Sequence, residues 1–288
     1  MTQSTNLQLG IPKGRMLEGI RSLFTEAGCA LNTQGRDYRV HSNLEGFSAK
    51  LLKPQSIVEM LNAGRRDLGF AGADWVCELN ANLVELLDTG LDTVSIVAAA
   101  PEGLLDGGKL PRRELVVASE YARLTRQWME RAGVRGTFLR SWGATEVLPP
   151  EDADCIVDNT ATGSTLRANR LSIVDTLMTS STRLYANPRV MDKPEARDRI
   201  EALVLVLKSV LDARKRVMLE LNVSEDRLET VLGLLPAMRK PTLSSLQGDA
   251  GSAVKAAVPK SVLAQLIPSL RKAGASDIVV SRIDQIVA

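Results

Sequence analysis

The stretch Asp154-Cys155-Ile156-Val157-Asp158-Asn159-Thr160-Ala161-Thr162-Gly163-Ser164-Thr165-Leu166 carries the most structural information per residue in this chain. Apolar Cys155–Val157 predicts a buried strand that ends in an acid, and a loop of small hydroxyl residues then leads into a helix near Leu166. Such a loop turns backbone N–H groups and hydroxyls toward one point, and Gly163 lets the backbone approach a ligand closely. A phosphate monoester suits that geometry. A strand-to-helix loop whose Thr and Ser residues only cap a helix fits the same pattern.

The same alternation runs outward on both sides. Leu7–Ile11, Asp67–Ala71, Thr93–Ala100 and Glu114–Ala118 read as strands. Met16–Ala27, Ser56–Asn62 and Ser119–Ala132 read as helices, the last with Ser119 as N-cap. This alternation predicts parallel sheets with helices on both faces. After the proline-marked connection from Pro188 to Ala196, Ala196–Arg214 reads as one long helix. Beyond it the pattern changes: strand Arg216–Asn222, helix Ser224–Leu235, strands Lys240–Leu246 and Ser252–Val258, helix Lys260–Ala273, and a strand beginning at Asp277. That β-α-β-β-α-β order is the ferredoxin-like split motif and predicts a separate C-terminal domain.

Bulk composition excludes several function classes. Lys and Arg total 36 against 34 Asp and Glu, a net charge of +2, so there is no electrostatic footprint for nucleic acid and any phosphate recognition must be local. Three separated cysteines, Cys29, Cys77 and Cys155, fit reduced thiols in a cytoplasmic protein better than a disulfide framework. Neither a signal peptide nor a run of about 18 apolar residues is visible, so no membrane role is expected. His41 is the only histidine, which rules out a His-rich zinc site. It reads as a surface or strand residue. Trp75, Trp128 and Trp142 read as packing residues, and Cys155 as a buried structural thiol.

Other segments could carry charge chemistry. Gly10-Ile11-Pro12-Lys13-Gly14-Arg15 puts two cations around a glycine after the first strand, which suits oligophosphate or, equally, a solvated turn. Lys53-Pro54, then Gly69 and Gly72-Ala73-Asp74, put glycines at a strand's C-terminal end, where ligand crevices of open α/β sheets often lie, and which equally suits a tight turn with no ligand. Gly35-Arg36-Asp37-Tyr38-Arg39 adds a charged loop.

Together these pieces resemble the ATP phosphoribosyltransferase family in its long form. The resemblance rests on Lys13-Gly14-Arg15, on Lys53-Pro54 with Gly69 and Gly72-Ala73-Asp74, and on Ile156 to Leu166 followed by Ala168-Asn169. It continues through Pro236, Pro241-Thr242, Leu246 and Gly274-Ala275. Arg170 stands where that pattern has glycine, Ala237 where it has glycine after Pro236, and Ser252 where it has an aromatic.

The resemblance implies two α/β lobes like a periplasmic binding protein, residues 1–98 with 186–214 and residues 99–185, plus an ACT-like ferredoxin-like regulatory domain at 215–288. It implies that N1 of ATP attacks phosphoribosyl pyrophosphate in a Mg²⁺-dependent first step of histidine biosynthesis, inhibited by histidine. Lys13, Arg15, Asp154 and Asp158 would be catalytic. Gly14, Lys53, Pro54, Gly72, Asp74, Thr160, Thr162, Gly163, Ser164, Thr165 and Leu166 would bind substrate. Asn222, Pro241, Thr242, Ala273 and Gly274 would serve regulation. The expected assembly is a homo-oligomer, dimer or hexamer. Metal ligands are not assigned. Two rival readings are a non-catalytic binding module of the same two-lobed fold and a phosphoribosyl-transferring enzyme for another base.

Overall fold

The computed structural model describes residues 6–33 and 38–287 of the 288-residue chain. Gly35, Arg36 and Asp37 of the charged loop therefore lie outside the described residues. The chain divides into two compact units, Met1–Ser22 with Cys29–Glu201, and Leu23–Gly28 with Ala202–Ala288.

The first unit is built on one mixed sheet. Its strands are β1 (Leu7–Pro12), β2 (Leu31–Thr33), β3 (Arg39–Ser42), β4 (Phe47–Leu52), β5 (Leu68–Gly72), β6 (Val84–Pro101), β7 (Leu115–Ser119), β8 (Gly136–Arg140), β9 (Cys155–Thr160) and β10 (Leu171–Ala186). Their order across the sheet is β2-β3-β4-β1-β5-β10-β6-β9-β7-β8. The β1, β4 and β5 group is parallel, as is the group of β7, β8 and β9. The purely parallel expectation fails in between. The long strands β6 and β10 run antiparallel to each other and to their outer neighbours β9 and β5. The stretch from Leu171 to Ala186 mixes Asp, Thr and Ser with apolar residues, so β10 has no simple strand signature of its own.

The helices of this unit are α1 (Met16–Glu26, which runs on past Ser22), α2 (Pro54–Asn62), α3 (Ala73–Glu78), α4 (Ala122–Ala132), α5 (Ser164–Ala168), α6 (Pro188–Met191) and the start of α7 (Pro194–Arg214). Burial on both faces explains the continuous apolar run in β6. Ile96 and Ala98 pack on one side with Val117, Tyr121, Trp128, Cys155 and Val157. The alternate residues Val97 and Ala99 pack on the other with Ala118, Ile156, Leu166 and Leu171. Successive strand side chains point to opposite faces, so neither face of the Ile96–Ala100 segment meets water. Each fully buried Ile, Val or Leu contributes about 1.5–3 kcal/mol of burial free energy.

Two local expectations are corrected. Ser119 is the last residue of β7 and caps nothing. Its hydroxyl is fully buried, donates to the Val157 carbonyl at 2.6 Å and accepts from the Tyr121 amide at 2.8 Å. The first amides of α4 are taken instead by the Glu78 carboxylate, which accepts from Arg123 and Leu124 at 3.0 Å. Trp142 does not pack: it is 84% exposed, with the Arg140 guanidinium over its ring. Trp75 and Trp128 do pack, against Tyr121 and within the β6 core respectively. His41 is an exposed residue of β3, and Cys155 is buried, its thiol pushed up to about 12 by desolvation and then by neighbouring Asp154.

The second unit holds the end of α7, β11 (Arg216–Val223), α8 (Leu228–Leu234), β12 (Thr242–Ser245), β13 (Ser252–Pro259), α9 (Leu263–Lys272) and β14 (Ser276–Arg282). The antiparallel order is β12-β13-β11-β14. β11 alternates strictly, with Val217, Leu219, Leu221 and Val223 buried against Leu228, Val231, Leu266 and Leu270. The β-α-β-β-α-β order read from the sequence is thus present. Leu23–Gly28 joins this unit, and Arg214 holds Glu26 through two contacts, at 2.7 and 2.9 Å.

Candidate functional site

β9 delivers its hydroxyl-rich loop at the C-terminal end of a parallel strand group. Thr160 ends the strand and its Oγ1 accepts from the Gly163 amide at 2.9 Å. The hydroxyls of Thr162 and Ser164 lie 3.0 Å apart. Gly163 has φ +72°, a conformation that costs any residue with a Cβ about 1–2 kcal/mol. A Cβ there would also come within 2.9 Å of Arg167 Nη1. Leu166 anchors the loop by burial beneath it, on the Val97 and Ile156 face. Asn169 closes the turn through its backbone and side-chain amides, both donating to the Thr165 carbonyl. The next residue, Arg170, has φ +55°, which explains why the family pattern has glycine there.

Beside the loop is a recess of about 90 Å³ lined by Arg15, Gly72, Asp74, Trp75, Asp92 and Tyr121, with Asn159 and Ser180–Thr182 completing the wall. Asp74 is 6% exposed, and its charge is held by hydroxyls alone. Tyr121 donates to Oδ2 at 2.7 Å and Ser180 to Oδ1 at 2.6 Å. Burial, and after it the Asp74 charge, push the Tyr121 phenol far above its ordinary range, so it stays a donor. Asn159 donates to Tyr121 Oη at 3.3 Å and thereby joins loop and recess. Gly72 is obligatory: a Cβ there would lie 2.1 Å from Asp74 Oδ1. Tyr121, Asn159, Asp92, Ser180 and Thr182 were not singled out from the sequence. The only signal available was their polarity within otherwise apolar strands and at strand ends.

Asp158 is half-buried on β9. Desolvation pushes its carboxyl up to about 6; the Asn159 amide offsets part of this, while Glu146 and Glu120 add to it. Among the described residues it is in no ion pair. Lys13 and Lys53 follow the paired residues Pro12 and Leu52 at the ends of β1 and β4, which sets the two cations side by side. Lys13 Nζ lies over the Tyr38 ring. Gly14 has φ +83° in the turn that opens α1, and Pro54 starts α2 at a position where a missing N–H costs nothing.

Asp154 is corrected. It precedes β9 at the end opposite the loop, where Arg113 Nη2 meets one carboxylate oxygen at 2.6 Å and the Val116 amide the other at 2.7 Å. Burial works to raise its pKa, but these hydrogen bonds outweigh it and hold the carboxyl below its usual range. This is a strand-end clamp, remote from the loop. Gly69 is likewise a packing residue, since a Cβ would come within 2.6 Å of Ile57 Cγ2 on α2. A larger groove of about 900 Å³ runs from Pro101 to Arg170 beside α5, but neither Asp74 nor Asp158 lines it.

In the second unit, Asn222 donates to Asp277 at 3.1 Å, beside Ala273 and Gly274 at the end of α9. Gly274 has φ +107° and leaves room for the Arg227 side chain. Pro241 precedes and Thr242 begins the exposed edge strand β12, which β13 separates from β11. The five proposed regulatory residues therefore do not form one cluster within a single chain.

The family model described as ATP phosphoribosyltransferase (HisG) matches residues 53–209, and that for the HisG C-terminal domain matches residues 213–285. The chain belongs to the ATP phosphoribosyltransferase family. Its two matched regions correspond to a catalytic and a C-terminal domain, and the family works in histidine biosynthesis. The chain is 34% identical to an ATP phosphoribosyltransferase of Chlorobium luteolum, with all of both chains covered. It is 36% identical to that of Solibacter usitatus, over 98% of this chain and 99% of the relative. One chain of the solved ATP phosphoribosyl transferase (HisG:HisZ) complex from Thermotoga maritima aligns with a TM-score of 0.63 at 25% identity, covering 72% of this chain and 98% of that one. This phosphoribosyltransferase therefore extends beyond what that chain contains. No helix among its described residues is long and apolar enough to cross a membrane.

Proposed function

We propose that this enzyme joins N1 of ATP to C1 of phosphoribosyl pyrophosphate, giving N1-(5-phosphoribosyl)-ATP and pyrophosphate. The observation that carries this reading is the Asn159 contact, which makes the hydroxyl loop and the acid-lined recess neighbours. Two substrates that must react at adjoining atoms need adjoining sites.

In this reading Thr160, Thr162, Gly163, Ser164 and Thr165 hold the 5′-phosphate, and Leu166 keeps the loop seated. Asp158 takes ribose hydroxyls and stabilises the cation-like sugar. Lys13, Arg15 and Lys53 offset the oligophosphate charge, while Gly14, Pro54 and Gly72 shape the turns that present them. Asp74 is the fixed dipolar wall of the base site. Adenine N1 has a lone pair already, so no strong base is needed. Catalysis is placement plus charge stabilisation.

No group of three or more potential metal-binding side chains exists among the described residues. That fits a Mg²⁺ that arrives with the pyrophosphate of the donor, for which one carboxylate suffices, and Asp158, beside the loop and in no ion pair among the described residues, could supply it. When bound, the ion neutralises charge on the departing pyrophosphate.

The mixed sheet favours two lobes, 1–98 with 186–214 and 99–185, hinged through β6 and β10 like a periplasmic binding protein. The strand order of the second unit favours a ferredoxin-like, ACT-like domain at 215–288 that binds histidine and inhibits the enzyme within a cytoplasmic homo-oligomer, dimer or hexamer. The Thermotoga chain belongs to a HisG:HisZ complex; here control is assigned to the chain's own C-terminal domain. The test is direct. Protein, ATP, phosphoribosyl pyrophosphate and Mg²⁺ are mixed, and ultraviolet absorbance and pyrophosphate release are followed with and without histidine. Absence of pyrophosphate release dependent on both substrates refutes the catalytic reading.

A further inference from the structure

β6 carries a bulge at the wall of the recess. Val94 pairs with Ser180 and Leu91 with Thr182, so Asp92 and Thr93 together face the single residue Ser181. Asp92 has φ +49°, a left-handed conformation uncommon for a residue with a side chain. Such positions persist where the surroundings hold them, and they gather at functional sites. Thr182 Oγ1 donates to Asp92 Oδ2 at 3.1 Å. Overhead, Gly19 of α1 leaves the space open, since a Cβ there would sit 3.3 Å from Leu91 Cδ1 and 3.7 Å from Asp92 Oδ2. Among the described residues, Asp92 Oδ1 receives no hydrogen bond and Asp92 is in no ion pair.

Three other acids near the site are already committed or face elsewhere. Asp74 has both oxygens occupied by hydroxyls. Asp158 does not line the recess; it faces the loop, where both amides of Asn159 donate to its Oδ1. Asp154 is clamped at the far end of β9. Asp92 is the carboxylate of the recess with an open oxygen, and Met16 and Trp75 supply apolar surface beside it.

From this arrangement we infer that Asp92 is a catalytic residue that accepts the N6–H of adenine. The inference rests on the reaction proposed above. N1 must be free to attack, so the base has to be held by other atoms. In the step, the N1 lone pair forms the bond to C1 of the ribose, and the C1–O bond breaks with its electron pair leaving on pyrophosphate. The ring gains one positive charge, shared over N1, C6 and N6. No proton moves to Asp92. A carboxylate at N6 therefore binds the transition state more strongly than neutral adenine, which is the condition for raising kcat rather than only affinity. A 6-oxo purine would put oxygen against that carboxylate and be disfavoured.

The full-length enzyme is tested with ATP and with N6,N6-dimethyl-ATP, which has no N6–H. Asp92→Asn is the first variant, because asparagine tolerates left-handed backbone and keeps the shape. Asp92→Gly is the second, because it keeps the backbone without strain. The expected result is a fall in kcat with ATP of about ten- to a hundredfold in both variants, the span of one charged hydrogen bond, with a smaller change in KM. The wild type should discriminate strongly against the dimethyl nucleotide, and the variants much less, so that the two changes couple. A purely structural role would slow both nucleotides equally. Equal use of both nucleotides by the wild type, full kcat in both variants, or an undiminished preference for ATP in both variants would overturn the inference. Failure of the wild type to make product from ATP and phosphoribosyl pyrophosphate would sink the parent reaction instead, a distinct result.

Discussion

The hydroxyl of Tyr121, at the start of α4, donates to Oδ2 of Asp74, at the start of α3, over 2.7 Å. The two residues are 47 positions apart in sequence. The bond ties the β7 strand end to the β5 strand end, and Trp75 stacks on the same phenol ring at 4.9 Å. A buried carboxylate with only hydroxyl partners loses much of its support when one is removed.

Tyr121→Phe removes that donor and leaves the ring packing intact. It is expected to destabilise the first unit by about 1–3 kcal/mol, the cost of an unsatisfied buried acceptor. Urea unfolding measures this, and a parallel fall in kcat is expected because Asp74 and Asn159 lose a shared anchor. Unchanged stability would mean that water replaces the phenol.

Gly163→Val attacks the loop. Arg167 is a flexible neighbour and can withdraw, so the persistent costs are the φ of +72° and the bulk of the side chain at the proposed phosphate seat. The fold should survive, with a penalty of about 1–2 kcal/mol, while activity is abolished. Normal turnover by a folded variant would show that the donor phosphate sits elsewhere.

Asp158 makes stability depend on pH. Its carboxyl is raised from an ordinary 3.8 to about 6, with burial the main cause. A raised folded-state pKa means that the protonated form favours folding. Its contribution is complete below pH 4 and is lost as pH rises through about 6. Asp158→Asn should thus be more stable than wild type above pH 6, by on the order of 3 kcal/mol, and equally stable below pH 4. Denaturation curves across that range give the answer. Wild-type activity should fall on the acid side of about pH 6, because the proposed ribose contact needs the carboxylate. A flat stability difference across the range would rule the shift out.

Histidine binding is assigned to the second unit, and titration calorimetry on the full chain is the cleanest check. Heat and a raised melting temperature are expected at millimolar histidine, together with inhibition worth a coupling of about 1–3 kcal/mol. Asn222 and Gly274 lie apart from Pro241 and Thr242 within one chain, so the ligand signal should weaken on dilution if the site needs two copies. Absence of both heat and melting shift in the concentrated protein refutes the assignment.

Much was legible in the linear order. The run from Cys155 to Leu166 announces a strand, a hydroxyl loop and a helix because all three depend on neighbours in sequence: alternating burial, a left-handed glycine and local capping. The strict alternation of Val217, Leu219, Leu221 and Val223 did the same for the second unit. Arg170 was legible as a departure, and its φ of +55° supplies the reason.

The recess was not legible, because its walls come from six distant segments. Arg15, Asp74, Asp92, Tyr121 and Ser180 meet only when β6 and β10 pair through the middle of the sheet. Whether an acid is a site residue or a clamp is likewise decided by what reaches it. Asp154 and Asp158 lie four residues apart on one segment, yet Arg113 and the Val116 amide claim the first, while burial, with no ion-pair partner among the described residues, poises the second. By itself the sequence determined most of the elements, the separate C-terminal pattern and the strand–hydroxyl loop–helix unit, since these follow from periodicity and turn chemistry over short spans. Only the tertiary structure decided which charges are occupied and which remain open to a substrate, since hydrogen bonding and desolvation depend on partners that the chain brings from far away.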